Sequence, residues 1–207
     1  MVENFLYYNF VEQFEKKIIL KKDIARKKYL SMRQELTSSM FAEASSRLVE
    51  DAIVLIKKYK PECIHCFLPI DTKDEINTTP IIQYCWESNI NVVVPVSNFK
   101  EGTLKNAEFT PETKTKLAEY NITEPIDPVW IQDDAIDFVI TPLLAFDLHG
   151  YRVGYGKGFY DRFFTSLHKD ARRVGVSLFE PCESIEDINK YDIALTHCVT
   201  PNKTYSF

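Results

Sequence analysis

One segment of the chain, GYRVGYGKGFYDRFF at positions 150–164, holds four of the six glycines in the whole sequence. It follows the apolar run AIDFVITPLLAF, which predicts a strand, and it leads into a helix predicted from about Gly158 to His168. A strand, a glycine loop and a helix in this order are typical of phosphate sites, because backbone N–H groups and the helix dipole favour an anion at the helix N-terminus. Gly154, Gly156 and Gly158 let the backbone curl around oxygen atoms where side chains would collide. The segment therefore predicts an α/β chain with a phosphate-binding loop.

Charged side chains surround these glycines. Arg152 adds a forked donor and Lys157 a point charge, and both suit phosphate oxygens. The alternative is a glycine-rich turn with exposed basic residues, which three glycines at alternate positions in this charged setting make less favourable. Two familiar nucleotide motifs do not fit. The Walker pattern G-x-x-x-x-G-K-[ST] is absent, and too little chain follows Gly158 for a two-halved dinucleotide fold.

Apolar runs alternate with helical patterns along most of the chain. Strands are predicted at 63–69, in INVVVPV, in RRVGVSL and near 193–199. Helices are predicted at about 18–36, 40–59 and 79–88. This alternation predicts the α/β class, with a mostly parallel sheet and helices on both faces. The stretch 98–130 gives no clear pattern.

The length of 207 residues suits one domain, which we expect to span residues 18–207. Residues 1–17 predict an extra amphipathic helix, because Phe5, Tyr8 and Phe14 keep helical spacing. That helix could cover an apolar patch or mediate self-association, and we expect a monomer or a weak homodimer.

Composition excludes several classes of protein. The net charge of −5 argues against a general nucleic-acid binder. No segment reads as a signal peptide or a membrane span, which predicts a soluble, cytoplasmic protein without a membrane partner. Five cysteines, an odd number, indicate reduced thiols. Cys63 and Cys66 fall in a predicted buried strand and point to opposite faces, which favours core packing over a metal site. The four histidines show no metal spacing and receive no role.

Eight basic residues lie between Lys16 and Arg33, opposed only by Asp23. At about 100° per residue, Lys22, Arg26 and Arg33 fall within roughly 40° of each other on one helix face. Such a stripe could close over an anion, or it could be an ordinary solvated surface. The helix alone does not decide between the two.

Three carboxylates are candidates for contacts with a ligand or a metal ion. Glu75 follows a predicted strand, at the sheet edge where α/β proteins bind ligands, and it could accept hydrogen bonds from a polar ring or favour the next helix. Asp161 and Asp192 are candidates for Mg²⁺, which takes few protein carboxylates beside nucleotide phosphates. Alternatively, Asp161 pairs with Arg162 or Lys157, and Asp192 caps a turn.

Together these segments resemble the 5-formyltetrahydrofolate cyclo-ligase family, also called 5,10-methenyltetrahydrofolate synthetase. TPLLAFDLHGYRVGYGKGFYDRFF carries the most specific similarity. Weaker matches follow in the family's order: Lys22 with Arg26, EINT at 75–78, ITEP at 122–125 and YDIALTHCVTP at 191–201. The resemblance covers about 190 residues.

The resemblance implies a three-layer α/β/α fold like that of ribose-phosphate isomerases. It also implies that ATP and Mg²⁺ drive conversion of 5-formyltetrahydrofolate to 5,10-methenyltetrahydrofolate, ADP and phosphate. The implied ATP contacts are Lys22, Arg26, Arg152, Val153, Gly154, Tyr155, Gly156, Lys157, Gly158, Phe159 and Tyr160. The implied substrate contacts are Arg26, Ile70, Glu75, Tyr155 and Phe159. The remaining implied roles are catalytic for Arg152, Lys157 and Tyr160, and magnesium binding for Asp161 and Asp192.

Two other functions are compatible with the same fold. One is a non-catalytic folate or nucleotide sensor, although a sensor could have discarded some of the charged residues. The other is a sugar-phosphate isomerase-like enzyme, which would need a carboxylate base beside the loop and no ATP.

Overall fold

The computed structural model describes residues 19–70 and 73–207. Its helices are α1 (Lys22–Glu35), α2 (Ser38–Tyr59), α3 (Thr79–Glu87) and α4 (Phe159–Ser166). The first seven strands are β1 (Ile19–Leu20), β2 (Cys63–Cys66), β3 (Asn91–Asn98), β4 (Thr103–Glu108), β5 (Thr115–Leu117), β6 (Thr123–Pro125) and β7 (Trp130–Ile131). The others are β8 (Phe138–Pro142), β9 (Ala145–Phe146), β10 (Arg152–Val153), β11 (Arg172–Val176), β12 (Ser184–Ile185), β13 (His197–Val199) and β14 (Thr204–Ser206).

An eight-stranded sheet runs through the molecule in the order β14-β13-β11-β8-β2-β3-β4-β7. The five strands from β13 to β3 pair in parallel, whereas β14, β4 and β7 join antiparallel at the two edges. The α/β class with a mostly parallel sheet is confirmed. The three-layer, ribose-phosphate isomerase-like arrangement stays a prediction.

Alternate residues of the central strands contribute to two separate apolar clusters, as the two-residue period of a strand requires. In β2, Ile64 and Cys66 belong to a cluster that includes residues of α1, α2 and α3. Cys63 belongs to the other cluster, together with Phe163 and Phe164 of α4. All five cysteines are buried and unbridged, so the prediction of core thiols is confirmed.

Local signals explain both ends of α2 and the start of α3. The Thr37 side chain accepts a hydrogen bond from the Met40 N–H at 3.2 Å and caps α2, while Lys60 ends that helix in the left-handed conformation. Pro80 lies in the first turn of α3, as the sequence predicts. No helix in the described part of the chain is long and apolar enough to cross a membrane.

Several boundaries differ from the predictions. Helix α1 begins at Lys22 and not at residue 18, because Ile19 and Leu20 pair in parallel with β12. The run 135–146 forms two strands, β8 and β9, and β9 turns back to pair with β10. The predicted helix over residues 1–17 lies outside the described residues.

Candidate active site

A pocket of about 580 Å³ opens at the carboxyl edge of the parallel strands, where α/β folds bind ligands. Segments that follow β2, β3 and β8 contribute to its wall, together with α1 and the glycine loop. Every residue to which the sequence assigned an ATP, substrate, catalytic or magnesium role lines it: Lys22, Arg26, Ile70, Glu75, Arg152, Val153, Gly154, Tyr155, Gly156, Lys157, Gly158, Phe159, Tyr160, Asp161 and Asp192.

The glycines of the loop differ in what surrounds them. A Cβ on Gly154 would have no other atom within 4 Å, so open space lies beside this residue. Gly156 has φ +86°, and a Cβ there would lie 3.2 Å from the Arg26 guanidinium. Gly158 has φ +68°, and a Cβ there would lie 3.0 Å from the Arg162 guanidinium. Two of the three glycines, Gly156 and Gly158, therefore make room for arginine side chains. Only Gly154 borders open space in which a ligand atom can lie.

Helix α4 starts directly after the loop, with Gly158 as its N-cap and no side chain capping it. The N–H groups of the first helical turn have no partners within the helix, since they precede the first i→i−4 acceptor. Arg162 fastens this end of the helix: it donates from Nε to the Gly102 carbonyl at 2.6 Å and from Nη2 to the Lys157 carbonyl at 2.5 Å. The geometry is that of an anion site at a helix N-terminus.

The basic stripe of α1 faces the glycine loop and not solvent. Arg26 donates from Nε to the Gly154 carbonyl at 3.0 Å. Arg33 is buried, and it donates to the Leu143 carbonyl at 3.0 Å and to the Tyr155 hydroxyl at 3.4 Å. Arg33 thus supports the loop from behind, while Lys22 and Arg26 reach the pocket itself.

The two aspartates each hold a cation of the protein. Both carboxylate oxygens of Asp192 accept from Lys22 Nζ at 2.6 Å. Asp161 Oδ1 accepts from Arg152 Nη2 at 2.8 Å and from the Ile193 N–H at 3.2 Å. The alternative pairing of Asp161 with Arg162 or Lys157 is therefore wrong, because Arg152 takes that position. The alternative for Asp192 is confirmed, since its Oδ2 also caps a turn by accepting from the Asn189 N–H at 2.7 Å. Burial lowers the pKa of Arg152 from its usual value, and Asp161 opposes that shift.

We tested whether these aspartates fit a magnesium ion. No cluster of three or more His, Cys, Asp or Glu side chains suited to a metal occurs in residues 19–70 and 73–207. However, Mg²⁺ commonly takes one or two carboxylates, with phosphate and water completing its octahedron. Asp161 and Asp192 line the same pocket, and Ile193, directly after Asp192, donates to Asp161. The chemistry of the two side chains is compatible with a metal that also binds phosphate oxygens, and their magnesium role stays a prediction.

The opposite part of the pocket is apolar and aromatic. Phe99 contacts the Phe159 ring edge to face, with centroids 5.4 Å apart, and lies 4.6 Å from the Tyr120 ring. Lys73 Nζ lies 4.2 Å from the centre of the Tyr155 ring. Sequence reasoning missed Phe99 and Tyr120. Phe99 directly follows β3, so the rule that ligands bind at carboxyl ends of strands could have found it, whereas Tyr120 left no signal.

Glu75 lines the pocket and is buried. Its Oε2 accepts from the Ile70 N–H at 2.9 Å, which ties these two pocket residues to each other. Burial raises the pKa of Glu75 above its usual value, while the Ile70 and Tyr155 hydrogen bonds and the charge of Arg33 oppose that shift. Glu75 and Tyr155, with Lys73 over the tyrosine ring, therefore form a polar contact point beside the aromatic residues.

Tyr160 also lines the pocket, but its hydroxyl lies 3.1 Å from Nε2 of His65, a buried residue of β2 that has no predicted role. Its proposed part in catalysis stays a prediction.

Comparison with known proteins adds the family. The family model of 5-formyltetrahydrofolate cyclo-ligases matches residues 18–201. The Haemophilus influenzae 5-formyltetrahydrofolate cyclo-ligase is 30% identical over 173 residues, which cover 81% of this chain and 90% of that protein. The Escherichia coli K12 protein of the same name is 28% identical over 190 residues, covering 88% of this chain and 99% of that protein.

Solved structures agree in fold. A 5,10-methenyltetrahydrofolate synthetase from Aquifex aeolicus superposes with a TM-score of 0.70 at 23% identity, covering 89% of this chain and 92% of that one. The Mycoplasma pneumoniae enzyme gives a TM-score of 0.69 at 18% identity, covering 88% and 99%. By the match of its sequence over most of its length, the chain belongs to the 5-formyltetrahydrofolate cyclo-ligase family.

Proposed function

We propose that this chain uses ATP and Mg²⁺ to convert 5-formyltetrahydrofolate to 5,10-methenyltetrahydrofolate, with release of ADP and phosphate. The observation that carries the proposal is the meeting, in one pocket, of a glycine loop, two cations of α1, two paired aspartates and an aromatic wall. Each of these groups suits a different part of the two substrates.

The phosphate groups of ATP would lie at the N-terminus of α4. The unpartnered N–H groups there favour anions, and the space beside Gly154 admits oxygen atoms. Lys157 is exposed on the loop, and Lys22 and Arg26 approach from α1. Mg²⁺, held by Asp161 and Asp192, would neutralise charge on the transferring phosphoryl group.

The folate ring would occupy the aromatic end of the pocket. Phe159, Phe99 and Tyr120 offer ring faces and edges that suit a flat heterocycle. Glu75 offers an acceptor to ring N–H groups, and Ile70 and Tyr155 lie on the same wall. The formyl group at N5 would then lie between the ring site and the phosphate site.

The chemistry needs positioning more than covalent help from the protein. The formyl oxygen is a poor leaving group, so it attacks the γ-phosphorus first and ADP departs. N10 of the folate then attacks the activated formyl carbon and loses its proton, and phosphate leaves with the former formyl oxygen. Such a reaction requires residues that orient the two substrates and balance the charge of the phosphate groups. The charged and aromatic residues that line the pocket support this proposal, and the reaction needs no nucleophilic triad.

Absorbance in the methenyl-folate band tests the proposal. Purified protein is mixed with 5-formyltetrahydrofolate, with and without Mg-ATP, and ADP is measured in parallel. We expect the band to grow only with Mg-ATP, in step with ADP. A flat trace with both ligands bound would instead identify a sensor, and a flat trace without folate binding would contradict a folate function altogether.

A further inference from the structure

A chain of hydrogen-bonded side chains runs beneath α4, from its last residue to its first turn. Ser166 donates to Asp133 Oδ2, and Asn106 donates from Nδ2 to Asp133 Oδ1 at 2.8 Å. Asn106 Oδ1 lies 2.6 Å from His65 Nδ1, and His65 Nε2 lies 3.1 Å from the Tyr160 hydroxyl. Of these five residues, only Tyr160 lines the pocket described above.

The chemistry of the groups fixes the direction of every bond in this chain. The Asp133 carboxylate accepts, so the amide nitrogen of Asn106 faces it and the amide oxygen faces His65. That oxygen also accepts, so His65 carries its proton on Nδ1. Burial of His65 lowers its pKa to about 4, and the ring is neutral at pH 7. Nε2 is therefore an acceptor, and the Tyr160 hydroxyl donates to it.

This arrangement ties the first turn of α4 to the centre of the sheet. His65 belongs to β2, is fully buried, and meets the Tyr160 ring edge-on, at 5.6 Å and 87°. The neighbours of Tyr160 are Phe159, on the aromatic wall, and Asp161, paired with Arg152. Any shift of Tyr160 would move both of them.

We propose that His65 is a positioning residue of this site: it holds the Tyr160 hydroxyl as a donor directed into the core, and thereby fixes the first turn of α4. Tyr160 then has no proton to give to a ligand, and its role is to place its neighbours. The inference rests on the proposed function, because that function places ATP phosphates at this turn.

Two amide variants of His65 separate its two hydrogen bonds. In His65→Gln the side-chain amide reaches the place of Nε2 and can still accept from Tyr160. In His65→Asn the amide reaches only the place of Nδ1, and the Tyr160 hydroxyl loses its acceptor. We expect kcat/KM for ATP within about twofold of the parent for His65→Gln, and about 5- to 10-fold lower for His65→Asn, the usual effect of losing one hydrogen bond. Equal losses in both variants would overturn the proposal.

His197 provides a matched control. Its Nε2 lies 2.8 Å from the Tyr59 hydroxyl and the rings meet edge-on, but neither residue lines the pocket. His197→Asn removes the same kind of bond elsewhere, so we expect parental kcat/KM. A loss as large as that of His65→Asn would show that the effect is a general loss of stability, and would overturn the assignment.

A double-mutant cycle tests whether His65 acts through Tyr160. Tyr160→Phe should lower kcat/KM by about 5- to 10-fold, and His65→Asn should add no further loss to it. If Tyr160 were instead a proton donor in the reaction, removing its hydroxyl would lower kcat by roughly 10²- to 10⁴-fold. Such a loss, or full additivity of the two variants, would refute a positioning role. Should His65→Asn fail to fold, kcat of Tyr160→Phe alone decides. A kcat within about tenfold of the parent supports the positioning role, and a loss of roughly 10²-fold or more refutes it.

Imidazole ¹⁵N NMR of the parent protein separates this inference from the proposed function. We expect the proton of His65 on Nδ1 at pH 7, whether or not the protein turns over. A proton on Nε2 would overturn the inference even in an active enzyme. An inactive parent with the Nδ1 proton in place would refute the proposed function, and with it the catalytic consequence, while retaining the bond directions.

Discussion

Gly154→Ala is the substitution that best separates the loop's role in binding from its role in folding. Its φ lies outside the left-handed region, and an added Cβ would meet no other atom within 4 Å. Alanine therefore fits the backbone and reduces the freedom of the unfolded chain, which raises the free energy of unfolding by about 0.4–1 kcal/mol. For a protein of this size that corresponds to roughly 1–4 °C in Tm. The new methyl group occupies the open space, however, so we expect kcat/KM for ATP to fall by about 10- to 100-fold.

Gly156→Ala should lower the free energy of unfolding, whereas Gly154→Ala should raise it. Its φ of +86° and its 3.2 Å approach to the Arg26 guanidinium strain any side chain there. We expect a loss of about 1–3 kcal/mol, or roughly 2–12 °C in Tm. Gly150→Ala is the control for strain alone, because its φ is +84° and its Cβ would lie 2.8 Å from the Phe207 ring, outside the pocket. It should lower Tm and leave the KM for ATP unchanged.

Thermal melts and initial rates at varied ATP concentration decide between these outcomes. A Gly154→Ala protein that loses as much stability as Gly156→Ala would refute the open space beside Gly154. A stable Gly154→Ala protein with the parental kcat/KM for ATP would refute the placement of phosphates in this loop.

Three other expectations concern the charged groups. Asp192→Asn should raise the Mg²⁺ concentration at half-maximal rate on the order of tenfold, whereas Asp134→Asn, at an exposed position, should not change that titration. Lys22→Met should raise the KM for ATP by about tenfold or more, while Lys27→Met, on the exposed side of α1, keeps the parental value in the same rate assay. His65 has its pKa lowered to about 4 from 6.5, so acid protonates the unfolded chain first and stability is lost as the pH falls from 6.5 towards 4. Melts should show the parent losing about 3 kcal/mol relative to His65→Gln over that range, and parallel pH curves would contradict the buried neutral ring.

Much of the site could be predicted because its residues follow two simple rules. The run from Arg152 to Asp161 is continuous in sequence, so one motif brings many contacts together. Ile70 and Glu75 follow a buried strand, and the carboxyl-edge rule places them near that motif. Lys22 and Arg26 were found through the period of their helix, which also pointed to Arg33. The helical period identified the face of α1 that contacts the site. It did not show how deeply each side chain is buried, and Arg33 lies buried behind the loop.

The stretch 98–130 could not be read because three of its four strands have only two or three residues. β4 pairs antiparallel with β3 and with β7, and β5 pairs with β6 in a separate two-stranded sheet. Strands of two or three residues have too few positions to show an alternating pattern. Tyr120 reaches the pocket from this region with φ +60°, a left-handed conformation that non-glycine residues rarely adopt. The partner of Gly156 was equally hidden, because Arg26 is far from it in sequence.

The two aspartate–cation pairs have a consequence for the order in which ligands enter. Within the protein, Lys22 balances Asp192 and Arg152 balances Asp161, while Arg26 and Lys157 add positive charge to the same pocket. A free metal ion would meet two cations beside its carboxylates, and free nucleotide would meet two carboxylates beside its cations. The metal–nucleotide complex carries both charges, and the pairs can exchange partners with it in one step. On the proposed binding roles, we therefore expect the site to bind the metal–nucleotide complex in preference to the free metal ion.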